Sequence, residues 1–289
     1  MHPDNLKWVG DFLRAKRESI SPEAVGLSRP ARTRTTGLRR EDVADLSGIS
    51  TVWYSKIERG QAAGISAQAF ASISSALRLT KSERKYLHNL IFPQTRTYKA
   101  PCQTTSAHTL QLLTQLNPLP ALLANDYLDI VAYNDAFQLM IGFDLNDLPA
   151  EAQNYLHLTI THPQWKRFAC IDSEETLALR ITRMAGFLRD TLAKRPNDDV
   201  LKQRICAFKA QSPLFHTAWS TNTVLQPEEV TYTYRHAQLG IMALDKQLWW
   251  HTNGNASSRL NVYYPQHDAD FQRLQQLVSP NADQASAQP

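Results

Sequence analysis

The sequence predicts an α+β protein: an all-helical N-terminal third, then a larger region mixing helices with antiparallel strands. Three observations carry this. Residues 1–92 repeat apolar groups at helical spacing behind helix-capping residues. "ALLANDYLDIVAYN", "VTYTYRH", "LGIMALDKQLWW" and "RLNVYYP" alternate or cluster β-formers between turn residues, as strands do. Between the two regions, "PQTRTYKAPCQTTS" (93–106) carries two prolines and no periodicity, and reads as a linker. The expected division is 1–92, a linker 93–106, a second domain 107–279, and a disordered tail 280–289.

Taken in order, Leu6, Val9, Phe12 and Leu13 make residues 6–18 an amphipathic helix. "SPEAVGLSRPARTRTTG" follows as an exposed loop carrying Arg29, Arg32 and Arg34. Two helices come from "GLRREDVADLSGISTVWYSKIERGQ" (37–61). Ser66 caps a fourth, with Phe70, Ile73 and Leu77 on one face. Thr80 with Glu83 forms a capping box for a fifth, built on Tyr86, Leu87, Leu90 and Ile91. Beyond the linker come a strand, an Asn-Asp turn and a second strand, and Asn134 caps a helix with Phe137, Met140 and Ile141 inward. Residues 174–211 are mostly helical, broken near Pro196, with the acids of "DSEE" in a first turn. The remaining strands complete a sheet.

Composition limits the function classes. The chain has 289 residues, 43% of them hydrophobic and 20% charged, which suits two soluble domains of ordinary size. No apolar run approaches the roughly 20 residues of a membrane span, and the N-terminus lacks a signal-peptide core. Cys102, Cys170 and Cys206 are scattered, with no C-x-x-C pair, which points to a reducing cytoplasm and to neither disulfides nor a zinc site. Residues 1–99 hold 17 Lys+Arg against 9 Asp+Glu, whereas the remainder holds 14 against 18. A basic first region on a mildly acidic second one suggests a polyanion partner for the first alone.

The stretch 37–61 identifies that partner. Counting from Arg40, Val43 and Ala44 fall at positions 4 and 5, Gly48 and Ile49 at 9 and 10, and Tyr54 and Ile57 at 15 and 18. This is helix-turn-helix spacing. Ala44 lets two helices approach, Gly48 ends the first in a left-handed turn, and Ser50 or Thr51 caps the second. Tyr54 and Ile57 then face inward, while Thr51, Val52, Ser55, Lys56 and Arg59 point out, toward a major groove about 12 Å wide. Arg39 and Arg40 stand at a helix N-terminus, where positive charge is mildly unfavourable unless a phosphate lies nearby. Glu41 and Asp42 partly offset it. The competing reading is an ordinary helical hairpin within a core.

The second region shows no nucleotide fingerprint, since its glycines form neither G-x-G-x-x-G nor a P-loop. His157, His162, His216, His236 and His251 lack metal-ligand spacing, so no metal and no cofactor are expected. Tyr133, Phe137, Trp165, Phe168, Phe187, Trp219 and Trp249 lie on segments expected to surround one sheet. They either line an apolar ligand cavity or fill a solid core. Arg180 and Arg189, on the main helix, are candidate carboxylate partners.

With "VGDFLRAKRESISPEAVGL" before it, the 37–61 stretch resembles the Xre-type helix-turn-helix regulators of bacteria, and more narrowly the branch carrying an MmyB-like ligand-binding domain. "PALLANDYLDIVAYNDAF", "RPNDD", "SPLFHTAW" and "RHAQLG" extend the resemblance over nearly the whole chain, more loosely after the last of these. The resemblance implies a PAS-like α/β sensor domain for a small, fatty-acid-like ligand, and dimeric binding to double-stranded operator DNA. It places Thr51, Val52 and Lys56 at base-facing positions, and Ser50, Trp53 and Arg39 near phosphates. Two alternatives stand beside it: a second domain that only dimerises or binds a protein, and an enzyme with a DNA-targeting module, for which no catalytic constellation is seen.

Overall fold

The computed structural model describes residues 3–27, 37–62, 64–92, 105–221, 231–250 and 258–279. Its contacts group the chain into two compact units, residues 1–98 with 182–227 and residues 99–181 with 228–289. Arg29, Arg32, Arg34, the expected linker up to 104 and the tail lie outside the described residues.

The first unit opens with α1 (Pro3–Ser19), a short 3-10 turn (Pro22–Val25), α2 (Arg40–Ser47), α3 (Thr51–Glu58), α4 (Ala67–Ala76) and α5 (Lys81–Ile91). The starts of α3, α4 and α5 have the expected chemistry. Ser50, Ser66 and Thr80 accept from the backbone N–H three residues on, and Glu83 returns a bond from the Thr80 N–H at 2.7 Å. Gly48 ends α2 at φ +67°. Val9, Phe12, Leu13, Val43, Tyr54, Ile57, Leu77 and Leu87 form the core. Gly10 brings the α1 backbone against the end of α3, where a Cβ would fall on the Glu58 carbonyl oxygen.

The second unit continues with α6 (Ala107–Gln115), strands β1 (Ala121–Asn125) and β2 (Ile130–Tyr133), α7 (Asp135–Ile141), α8 (Tyr155–Thr161) and α9 (Pro163–Phe168). The β1–β2 turn is made by Asn125, whose Oδ1 accepts from the N–H groups of Tyr127 and Asp129. Asn134 caps α7 as expected, at 3.0 Å to the Phe137 N–H. Next comes α10 (Glu174–Lys194), whose residues from 182 onward group with the first unit. There Ala193 joins the helical core and Asp190 accepts from Asn89 Nδ2 at 3.2 Å. The break falls at Pro196, and Asp198 caps α11 (Asp199–Gln211), which α12 (Pro213–Ser220) follows.

Strands β3 (Thr231–His236), β4 (Gly240–Trp250) and β5 (Ser258–Pro265), then α13 (Asp268–Val278), finish the second unit. All pairings are antiparallel, in the order β2-β1-β5-β4-β3. One face carries Leu122, Ala124, Ile130, Tyr234, Met242, Leu244 and Tyr263, covered by Phe137, Met140, Trp165, Phe168 and Leu274. The other carries Ala121, Leu123, Leu260 and Val262, packed with Leu113. The expected α+β class stands: a helical region with a helix-turn-helix, then an α/β domain on a five-stranded antiparallel sheet. The sequence reading did not single out α6, α8, α9, α12 or α13.

A candidate nucleic-acid interface and a candidate ligand site

The interface is built by fixing one side of α3 and leaving the other open. Tyr54 and Ile57 are fully buried, as are Val43 and Ala44 of α2. On the opposite side Val52 is 67% exposed, Lys56 and Arg59 are exposed, and Thr51 and Ser55 are half-buried. Val52, Ser55, Lys56 and Arg59 recur at i, i+3, i+4 and i+7, one helical stripe. A large exposed apolar side chain amid polar ones matches contact with a thymine methyl, and Lys56 matches a guanine edge. Ser50 and Arg39 are exposed beside the stripe, and half-buried Trp53 packs against the core. Arg59 Nε bonds back to the Ser55 carbonyl at 3.1 Å.

A buried ion cluster holds α3 in place. The Glu58 carboxylate is fully buried, with Arg17 Nε on Oε1 at 2.5 Å and Arg17 Nη2 on Oε2 at 3.2 Å. Arg40 Nε donates to the same Oε2 at 2.7 Å, and Arg17 Nη1 donates to the Leu38 carbonyl at 2.7 Å. One carboxylate on α3 thus ties α1 and α2 to it. Arg40, expected at the phosphates, is also a partner in this cluster. Nothing in the local sequence signals Glu58, because its partners lie 41 and 18 residues away.

In the second unit Tyr133, Phe137, Trp165 and Phe168 do come together. Phe137 meets Trp165 edge-on at 6.5 Å and stacks on Tyr263 at 5.9 Å, and Phe168 stacks on Tyr234 at 4.8 Å. Trp165 is 1% exposed and its Nε1 donates to Thr159 Oγ1 at 3.2 Å. The ladder is a packed core layer. Phe187, Arg189 and Trp219 belong to the other unit. There Arg189 Nη2 donates to the carbonyls of Ala218 and Trp219 at the end of α12, and the guanidinium lies 4.9 Å from the Trp219 ring centre. Trp249 is 58% exposed on β4.

Arg180 leads to a polar site that the sequence reading missed. Its guanidinium lies 4.3 Å from the Tyr232 ring centre and donates to the Ala169 carbonyl. Along β4 the helix-covered face runs Met242 and Leu244, both fully buried, then half-buried Lys246, then Leu248 at 41% exposure. Lys246 pairs with Tyr263 of β5, and its Nζ sits 4.8 Å from the Tyr155 ring centre and 5.8 Å from that of Tyr263. The hydroxyls of Tyr155 and Tyr263 are 3.1 Å apart. Burial, then the charges of Arg259 and Arg180, lower the Lys246 ammonium to about 7. Burial also pushes the hydroxyls of Tyr155, Tyr234 and Tyr263 up, so they stay neutral donors.

Two of the histidines accept from nearby backbone, and His251 lies outside the described residues. His162 Nδ1 accepts from the Trp165 N–H, and His236 Nδ1 from the N–H groups of Gln238 and Leu239. No group of three possible metal ligands occurs among the described residues. Burial lowers both imidazoles below the ordinary 6.5, so the folded state binds fewer protons than the unfolded state just below that pH. Stability is therefore expected to fall as pH drops from about 6.5 toward the lowered native values. Urea titrations from pH 7.5 to 5 would show it, and His162→Gln should reduce the slope.

A helix-turn-helix mounted for a groove, with an α/β domain on the same chain, defines the class of DNA-binding transcription regulators that carry a ligand-binding domain. Residues 8–87 match the family model of a helix-turn-helix domain, and residues 105–277 that of the MmyB-like transcription regulator ligand binding domain. The chain belongs to the MmyB-like transcription regulators. No match was found among curated proteins. The second match runs through residues 182–227, which the contacts group with the helix-turn-helix. No helix among the described residues is long and apolar enough to cross a membrane.

Proposed function

We propose that the chain is a cytoplasmic, homodimeric bacterial regulator, without catalytic activity, that binds double-stranded operator DNA through α3. Its occupancy changes when the second domain takes up a small, fatty-acid-like molecule. The mounting of α3 carries this reading: a helix locked by Tyr54, Ile57 and Glu58 presents Val52 and Lys56 outward. In a dimer, two such helices reach half-sites about 34 Å apart, and a ligand that favours one dimer arrangement changes their match to the operator. Arg29, Arg32, Arg34 and Arg39 supply phosphate contacts in this scheme, with Ser50 and Trp53 beside them.

The roles separate by sequence dependence. Lys56→Ala is expected to weaken cognate binding by about 1–3 kcal/mol and to relax preference at one base pair. Arg39→Ala should weaken cognate and random DNA alike and lower the salt slope by about one. Fluorescence anisotropy on both DNAs over a salt series distinguishes them. Equal losses for both variants on both DNAs would overturn the assignment.

A second domain that only dimerises is favoured by the dense packing of Phe137, Trp165 and Phe168. Native mass spectrometry of the purified protein separates the readings, since only the sensing one requires a carried small molecule.

A further inference from the structure

The aromatic ladder is closed, so a ligand's polar end must be held elsewhere, and the helix-covered sheet face opens toward Leu248. One cation on that face lacks a polar partner among the described residues. Lys246 Nζ makes neither a hydrogen bond nor an ion pair, only its contacts with the Tyr155 and Tyr263 rings. Lys246 pairs with Tyr263 across the ladder, on the same face. An ammonium half-buried beside Arg180 and Arg259 is unfavourable for folding unless something negative joins it.

We propose that Lys246, with the hydroxyl pair of Tyr155 and Tyr263, anchors the head group of the sensed molecule, which therefore carries a single carboxylate-class anion on an apolar body. The assignment rests on the small-ligand reading above. One ammonium and neutral donors match a monoanion, whereas a phosphate dianion calls for a second unengaged cation. Arg259 already lies in the field of Asp126. Leu248, 41% exposed, flanks Lys246 on the same face and gives the apolar body its surface. Among the described residues, the groups that face Lys246 are Tyr155 of α8, Arg180 of α10, and Arg259 and Tyr263 of β5. None of them is a carboxylate or a histidine.

Titration of the full chain with decanoate and with decan-1-ol tests this. At pH 6 decanoate should bind at least tenfold more tightly than the alcohol. Above pH about 7 unliganded Lys246 loses its proton, so decanoate affinity should fall by up to tenfold per pH unit while that of the alcohol stays level. Lys246→Met should abolish both the preference and the pH dependence yet still bind the alcohol, which also shows that the variant folds. Lys246→Arg should retain the preference without the pH dependence. Equal binding of the two probes by the wild type, or a preference that survives in Lys246→Met, overturns the anchor and leaves the small-ligand reading standing. If neither probe binds, both fall.

Discussion

Replacing Glu58 by Ala is expected to cost the first unit about 3–5 kcal/mol, the loss typical when one partner of a buried ion pair is removed. The carboxylate is fully buried and Arg17 is 9% exposed, so the variant leaves a desolvated guanidinium with only the half-exposed Glu18 carboxylate, 3.2 Å away, beside it. Against the 5–15 kcal/mol that keeps an ordinary domain folded, this is a large fraction. Urea unfolding followed by circular dichroism would report it, and operator binding should vanish with the fold. Arg40→Ala should cost much less, because Arg40 is 42% exposed and water screens its side of the pair. A Glu58→Ala loss below about 1 kcal/mol would mean that water reaches the cluster and α3 is held by packing alone.

The next largest effect is expected at Trp165. Cutting it to Ala removes a fully buried indole from contacts with Phe137, Tyr155 and Phe168 and leaves Thr159 without its donor. The expected cost is about 3–5 kcal/mol. Trp165→Phe should recover most of it, since the ring contacts persist and only the hydrogen bond and some volume are lost. If Trp165→Ala were instead tolerated within about 1 kcal/mol, the ladder would be lining an open cavity, and the ligand's apolar body would belong there.

Local chemistry explains what could be read from the sequence. Ser50, Ser66, Thr80 with Glu83, Asn134 and Gly48 act within four residues of themselves, and each was found where its neighbours demand it. The outward stripe Val52–Arg59 was legible for the same reason, being a helix seen from one side. Lys246 was not. On β4 it is one charge in an alternating strand, and its setting comes from Tyr263 across the ladder and Tyr155 some 90 residues earlier. Arg189 and Trp219 were grouped with the sheet because aromatic content carries no address. Only the tertiary contacts show that Arg189 satisfies the end of α12.

The position of β5 has a consequence for biosynthesis. β5 lies between β1 and β4, so β1 gains its second neighbour only when residues 258–262 exist, roughly 140 residues after it was made. At translation rates of about 5–20 residues per second, the β1–β2 hairpin waits about 7–30 s with one row of backbone donors and acceptors unpaired. Over the same interval the helix-turn-helix residues can already close most of their own core, which takes only Ala193 from beyond residue 92. A nascent chain therefore acquires its DNA-reading surface well before its sensor sheet can assemble, and in that window chaperones have an exposed strand to protect.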